Sequence, residues 1–343
     1  MTSKTIRSAV QRNQAGGYIL TSLVGFVATV IVTRAFLELT GYPQIGNSVL
    51  HIAHALWGGL LLIIAVYLPL AYANRWALQA SAVLSGIGVG LFIDEIGKFI
   101  TQTNDYFFLP ALPLIYGFVL LNILVYLYIR RPHSENDRCA MYHVLEGLQN
   151  FLDGNLDATT REQIEAQLAI AGGSNRAEFA SLANAISDYL QKENERLPEA
   201  KIGFWKRIIN WINTIGLRFG RRKHRGIISV ALIGWVILVV GYISVIVQGG
   251  TNLDLQVLQW RVPLIGIQVV VGILLIVALL FWLAQKEDLG LKFGVGGFLV
   301  SLVALQLLYF YISQFSAITA TLLQLGLLQL LITYRRWYLN INT

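Results

Sequence analysis

The residues with the clearest chemical potential are ionisable side chains inside long apolar stretches. His51 and His54 stand near the start of one stretch, Asp94 and Glu95 stand near the end of the next, and Lys98 follows one helical turn later. Ionisable residues are costly inside a membrane span and commonly serve a function there. Imidazole and carboxylate groups bind metal ions, relay protons or act as general acids and bases.

One interpretation is a metal centre that holds Zn²⁺ or Fe²⁺. His51 and His54, one helical turn apart, could chelate the ion, and Asp94, Glu95 or Asp105 would complete the ligand set and leave a position for water. Asp94 or Glu95 would then act as ligand or general base, which makes both candidate catalytic residues. A haem is not expected, because the remaining histidines fall between the two groups of apolar stretches: His133, His143 and His224.

Two further interpretations use the same part of the chain. Arg34 and Glu38 in the first apolar stretch, together with Lys98 and Asn104, are candidate binding or ion-pair residues, and Arg34 could hold an anionic head group or pair with an acid. The charges would then neutralise one another and hold helices together, or they would relay protons in a transporter. Whether the protein is an enzyme stays open at this stage.

The spacing predicts that these groups meet. His51, His54 and Gly58 share one helix face, and Gly86, Gly90 and Asp94 share another. Glycines at helical spacing permit membrane helices to approach closely. We therefore expect the second and third spans to form a tight antiparallel pair that brings imidazole against carboxylate.

Composition identifies the elements that carry these residues. The chain has 343 residues, of which 55% are hydrophobic and 13% are charged, with a net charge of +7; soluble domains carry about 25% charged residues. These values exclude a soluble globule and a disordered chain, and a single cysteine, Cys139, excludes an internal disulfide. The predicted fold class is an all-α polytopic membrane helix bundle with a small cytoplasmic helical insert. Its eight predicted spans are 17–37, 48–73, 77–100, 111–129, 226–248, 262–284, 293–312 and 316–334.

The basic residues predict the orientation of the spans. If the chain crosses the membrane eight times, nearly all lysines and arginines that flank the spans fall on one side, which the positive-inside rule places in the cytoplasm. Both termini and the insert are therefore expected in the cytoplasm of a bacterial cell, with the protein in the inner membrane. The residues that carry this inference are Lys4, Arg7, Arg12, Arg75, Arg130, Arg131, Arg221, Arg222, Lys223, Arg225, Lys286, Lys292, Arg335 and Arg336.

The predicted domains follow from the charge distribution. Residues 1–131 form a membrane domain with the polar site, 132–202 form an acidic helical insert, 203–225 form a basic amphipathic interfacial helix, and 226–343 form a second membrane domain. The basic segment is expected to bind anionic membrane lipid, whereas no nucleic-acid partner is expected. Its candidate interface residues are Trp205, Lys206, Arg207, Arg221, Arg222 and Lys223.

The insert is expected to contain three helices, at about 139–152, 160–172 and 176–197. Residues 134–199 hold five basic and twelve acidic residues, a net charge of −7, which makes this segment a candidate site for a cytosolic protein partner. Apolar residues at helical spacing predict its core: Leu145, Leu148, Leu152, Ile164 and Leu168.

Residues 45–130 resemble an uncharacterised family of bacterial inner-membrane proteins and are more distantly similar to VanZ-like proteins. The resemblance is carried by His51-Ile-Ala-His54-Ala-Leu-Trp57-Gly58, by Gly90-Leu-Phe-Ile-Asp94-Glu95-Ile-Gly97-Lys98-Phe99 and by Asn104-Asp105-Tyr106-Phe107-Phe108. His54, Glu95 and Asp105 match the histidine, acid and aspartate of the VanZ-like pattern, which His51, Asp94 and Lys98 do not follow. The resemblance implies a role in the cell envelope and supplies no reaction.

Three functional hypotheses follow. In the first, an outward-facing His/carboxylate site binds or processes an envelope lipid or amphiphile, with a metal as cofactor. In the second, the protein is a proton-coupled transporter. In the third, it is a non-catalytic scaffold or complex subunit that docks a cytosolic partner on the insert.

Overall fold

The protein is an integral membrane protein built from helices. The computed structural model describes residues 9–41, 53–103, 105–106, 108–131, 136–154, 158–192, 220–248, 261–312 and 314–339. Eight of the helices in these ranges are long and apolar enough to cross a membrane, as predicted. They are α1 Ala15–Thr40, α2 His54–Ala71, α3 Arg75–Asp94, α5 Ala111–Ile129, α9 Gly220–Gln248, α10 Arg261–Leu283, α11 Glu287–Val300 with its continuation α12 Gln306–Ile312, and α13 Gln314–Tyr338.

The predicted third span, 77–100, is not one continuous helix. Helix α3 ends at Asp94, and a separate short helix, α4, runs over Ile96–Ile100. Glu95 joins them with φ −88° and ψ 12°, outside the helical range, so the helix is interrupted at this residue. The interruption falls on one of the predicted site residues.

The described residues fall into two compact units. One contains the residues up to 106 together with 121–192, and the other contains 108–120 together with 220–339. Helix α5 contributes its first part to the second unit and its last part to the first. The insert helices therefore belong to the same unit as α1, α2 and α3.

Glycines allow the first three helices to pack closely, but the prediction that Gly86 and Gly90 pack against the second span is wrong. Gly86 and Gly90 of α3 face α1, not α2: a Cβ on Gly90 would lie 2.6 Å from Thr29 Cβ, and one on Gly86 would collide with the Ser22 carbonyl oxygen. The α2 contact uses Gly58 and Gly88 instead. Gly88 lies two residues from both Gly86 and Gly90, about 200° around the helix, so α3 presents glycine to both neighbours.

The adjacent pair Gly58 and Gly59 offers a test of this packing. A Cβ on Gly58 would lie 2.7 Å from the Gly88 carbonyl oxygen and 2.8 Å from the Phe92 amide nitrogen, whereas a Cβ on Gly59 meets nothing within 4 Å. We expect Gly58→Ala to lower the free energy of unfolding by about 1–3 kcal/mol through overpacking. Gly59→Ala is the matched control and should be close to neutral. Thermal unfolding of the two variants in detergent measures the difference, and equal effects would contradict this packing.

The insert forms three helices, as predicted: α6 Asp137–Leu152, α7 Ala158–Gly172 and α8 Ala177–Lys192. Its predicted core is partly wrong. Ile164 and Leu168 are buried, but Leu145 and Leu152 are 49% and 81% exposed. The buried face of α6 is rotated from the predicted one and lies over Ala140, Met141 and Val144, with Leu148 and Phe151 partly buried beside it.

Polar contacts attach the insert to one end of the first three membrane helices. Arg12, just before α1, pairs with Glu146 of α6 at 3.3 Å, and Asn74, just before α3, donates to Asp153 at 2.8 Å. Arg34 lies nineteen residues beyond Ala15 along α1, which at 1.5 Å per residue is about 29 Å. The insert and the predicted polar site are thus at opposite ends of the same helices.

The second unit has its own apolar core and one irregular helix. The core lies between α9, α10, α11 and α13 and includes Leu232, Leu275, Trp282, Phe298 and Tyr334. Helix α11 continues through a π-helical turn, Ser301–Leu305, in which the Gln306 amide donates to the Ser301 carbonyl. The Leu302 carbonyl, which Gln306 would bond in an α-helix, accepts the Tyr116 hydroxyl at 2.7 Å instead.

Candidate functional site

Four segments of the first unit bring ionisable groups to one point. Arg34 lies in the later part of α1, His54 is the first residue of α2, Asp94 is the last residue of α3, and Glu95 follows it. Because α1 and α3 end where α2 begins, the antiparallel arrangement places all four at the same end of the unit. The predicted meeting of imidazole and carboxylate is confirmed for His54.

Asp94 is the centre of this arrangement. Its side chain is fully buried, and its two oxygens face different helices. Oδ1 accepts the Arg34 Nε–H at 2.6 Å, and Oδ2 lies 3.2 Å from His54 Nε2 and accepts the Tyr106 hydroxyl at 2.6 Å. Arg34 Nη2 also donates to the Asp94 backbone carbonyl at 3.3 Å. One carboxylate therefore joins α1, α2 and the segment that follows α4.

Glu95 forms a second, asymmetric set of contacts. Its Oε1 atom accepts the Lys98 ammonium at 2.9 Å and lies 3.1 Å from His54 Nδ1. Its Oε2 atom is buried and has no hydrogen-bond partner among the described residues. A buried oxygen without a donor is costly, and more so on an ionised carboxylate than on a neutral acid.

The two ring nitrogens of His54 therefore face two different buried acids. The ring itself is 24% exposed and Lys98 is 25% exposed, whereas the side chains of Asp94, Glu95 and Arg34 are at most 8% exposed. Tyr106 lies between the cations, with its ring centre 5.2 Å from the Arg34 guanidinium carbon and 5.4 Å from Lys98 Nζ. His54, Lys98 and Tyr106 thus line the accessible side of the site, and the acids lie behind them.

Several predicted site residues lie elsewhere. Glu38 is exposed on α1, and Asp105 is exposed, with its backbone amide donating to the Thr101 hydroxyl at 2.7 Å. His51 and Asn104 lie outside the described residues, as do Trp205, Lys206 and Arg207. Within the described part of the chain, no three His, Cys, Asp or Glu residues are placed to hold a metal ion. The metal set that includes His51 therefore stays a prediction.

The sequence analysis missed Tyr106 and a polar cluster of the second unit. Tyr106 belongs to the Asn104–Phe108 motif, but its apolar neighbours gave no sign that its hydroxyl contacts Asp94. In the second unit, Glu287 pairs with Arg221 at 2.9 Å and with Arg225 at 3.5 Å, and its Oε2 accepts the Tyr334 hydroxyl at 2.9 Å. Arg221, one of the predicted lipid contacts, is thus engaged by an acid, whereas Arg222 and Lys223 are exposed.

Comparison of the chain with models of known protein families, with curated sequences and with solved structures finds no match. The resemblance of residues 45–130 to VanZ-like proteins therefore stays a prediction. What the site does has to be argued from its own geometry.

The Arg34–Asp94 pair should behave as a buried ion pair. Removing one partner of such a pair leaves an uncompensated charge and costs about 3–5 kcal/mol. We expect Arg34→Gln and Asp94→Asn each to lower the free energy of unfolding in detergent by that amount, and the double variant to lose clearly less than the sum.

The control for this cycle is Lys292→Gln. Lys292 pairs with Asp288 at 2.6 Å, as close as Arg34 to Asp94, but its side chain is 54% exposed. Exposed pairs contribute about 0–1 kcal/mol, so burial and not distance should separate the two pairs. Strict additivity of Arg34→Gln and Asp94→Asn would contradict the pairing.

Proposed function

We propose that the protein is a proton-coupled membrane transporter whose proton-binding centre is His54 together with Asp94 and Glu95. The observation that carries this proposal is the imidazole held between two buried carboxylates, at 3.2 Å from one and 3.1 Å from the other. Titrating histidine and carboxylate partners inside membrane helices are typical of proton relays.

The donor count of the centre supports the proposal of one exchangeable proton. A neutral imidazole has one N–H donor and one acceptor nitrogen, so it can donate to only one of the two acids. With both acids ionised, the other ring nitrogen would face a carboxylate oxygen with no hydrogen between them. One more proton, on the ring or on an acid, completes both contacts.

The charge count describes the two states of the centre. Arg34 and Lys98 balance Asp94 and Glu95, so the centre is neutral without the extra proton and carries +1 with it. Transfer of this proton from His54 Nδ1 to Glu95 Oε1 leaves a neutral ring and a neutral acid and conserves the total charge. The proton therefore belongs to the pair of residues, not to one of them.

The centre is proposed to open towards the outside of the cell. The positive-inside distribution favours a cytoplasmic insert, and the centre lies at the opposite end of the helices that contact the insert. His54 and Lys98, the partly exposed members, would then exchange protons with the outer aqueous phase. The acids lie deeper, where a proton taken from His54 can be held away from bulk water.

A metal centre is the competing proposal for the same residues. Two features favour the proton: Asp94 and Glu95 already accept hydrogen bonds from Arg34 and Lys98, and these cations would repel a divalent ion. A metal centre would need His51 as a further ligand. In that hypothesis the site binds or processes an envelope lipid or amphiphile.

Infrared spectroscopy of the purified protein over a pH titration tests the proton. We expect one carboxylic-acid C=O band to appear as the centre takes up its proton and to be absent in Glu95→Gln. Asp188→Asn, an exposed acid of the insert, is the control and should keep the band. A band that persists unchanged in both Glu95→Gln and Asp94→Asn would exclude the centre as its origin.

Proteoliposomes with an enclosed pH-sensitive dye test the coupling. The transported solute is sought in a panel of inorganic ions and amphiphiles, and we expect its addition to move protons through the wild type. His54→Gln and Glu95→Gln should each reduce this proton movement at least about tenfold, because each removes a proton-transfer group. Asp188→Asn should retain it. Solute movement without proton movement, or unchanged coupling in both variants, would overturn the proposal.

Elemental analysis of the purified protein separates proton from metal. We expect zinc and iron far below one ion per chain, with no change in His54→Ala. An ion present in stoichiometric amount in the wild type and lost in His54→Ala and in His51→Ala would establish the metal centre instead.

A further inference from the structure

A cavity of about 550 Å³ lies at the opposite end of the first unit from the His54 centre. Three parts of the chain surround it: the segment before α1 with the first turns of α1, the end of α5 with the residues after it, and the first turns of α6. It belongs wholly to the first unit. It is thus located where membrane helices meet the insert.

The cavity is strongly cationic. Four arginines line it, Arg12, Arg130, Arg131 and Arg138, together with His143, and its described lining contains no aspartate or glutamate. Arg12 has an acidic partner in Glu146, which is not part of the lining. Arginines at this boundary follow from the positive-inside rule. Their convergence on one concave space does not follow from that rule.

Hydrogen bonds connect the elements that form the wall of the cavity. The Gln11 side chain donates to the Ile129 carbonyl at the end of α5, and the Gln11 carbonyl lies 2.9 Å from His143 Nε2 on α6. Asn136 caps α6 by accepting the Cys139 amide at 2.8 Å. Side chains from three separate elements are therefore held in fixed positions around the cavity.

One side of the cavity lining is apolar and the other is polar. Leu20, Tyr126 and Ile129 belong to membrane helices and supply an apolar side, whereas Arg131 and Arg138 belong to the polar side beyond the end of α5. A ligand that fits both sides carries an anionic group next to a hydrocarbon portion. Guanidinium groups bind phosphate oxygens with paired N–H donors, and basic pockets between membrane helices bind anionic lipid head groups.

We propose that this cavity binds the phosphate head group of an anionic phospholipid from the leaflet next to the insert. The phosphate accepts hydrogen bonds from the arginines, and the first carbons of the acyl chains lie along Leu20 and Ile129. A soluble phosphate compound shares the charge but not the hydrocarbon portion. The apolar side of the lining is the reason for choosing the lipid.

Cys139 provides a direct reporter of occupancy. It is the only cysteine of the chain, it lines the cavity and it is partly exposed. The full-length protein in neutral detergent would be labelled with an uncharged maleimide in the presence of phosphatidylglycerol, of phosphatidylcholine with the same acyl chains, or of inorganic phosphate. At ten times the dissociation constant about one-eleventh of the sites stay free, so bound lipid should slow labelling about tenfold.

The expected pattern is protection by phosphatidylglycerol and not by the other two compounds. Arg131→Gln with Arg138→Gln should abolish the protection, and Arg130→Gln alone should weaken it if the double variant fails to fold. The matched control is Arg222→Gln with Lys223→Gln, which removes the same charge from exposed positions of α9 outside the cavity.

Three outcomes would overturn the proposal. Equal protection by phosphatidylcholine would indicate that the detergent or any lipid covers Cys139. Protection by inorganic phosphate to the same extent would assign the cavity to a soluble anion. Equal loss of protection in the Arg131/Arg138 and Arg222/Lys223 variants would reduce the effect to general charge attraction.

Discussion

The burial of Asp94 among membrane helices is the constraint on which the first unit depends. An isolated carboxylate inside a membrane protein is costly, so a cation and hydrogen-bond donors have to reach it. Arg34 reaches it from α1 because Gly86 and Gly90 allow α1 and α3 to pack backbone against backbone. His54 reaches it from α2 because Gly58 and Gly88 do the same on the opposite face of α3. The glycines and the ionisable groups are therefore parts of one arrangement.

The first unit separates two kinds of chemistry along the length of its helices. At one end, two acids, Asp94 and Glu95, lie against Arg34, His54 and Lys98. At the other end, four arginines converge on a cavity without an acid in its described lining. The first end suits an exchange of protons, which needs small differences in charge. The second suits retention of an anion, which needs a net opposite charge.

In the second unit, too, an acid is paired with cations. Glu287 is held by Arg221, Arg225 and the Tyr334 hydroxyl, so its buried oxygens are satisfied by groups from α9 and α13. No histidine stands between two acids among its described residues, and the contacts of Glu287 need no extra proton. This cluster fits a role in holding helices together, whereas the proposed proton exchange rests on the histidine that lies between two acids in the first unit.

The eight membrane helices and the three insert helices were predictable from sequence, because apolar length and helical period are local properties of the chain. The approach of His54 to Asp94 and Glu95 was also predictable, since ionisable residues at matched depth in antiparallel spans have few other partners. Tertiary structure alone decided which side each glycine faces, because α3 carries glycine on two faces and sequence spacing does not say which neighbour each face meets. It alone decided that the helix ends at Asp94, that Tyr106 donates to this residue and that one oxygen of Glu95 is buried without a donor from the described part of the chain. These features depend on how segments distant in sequence pack around one carboxylate.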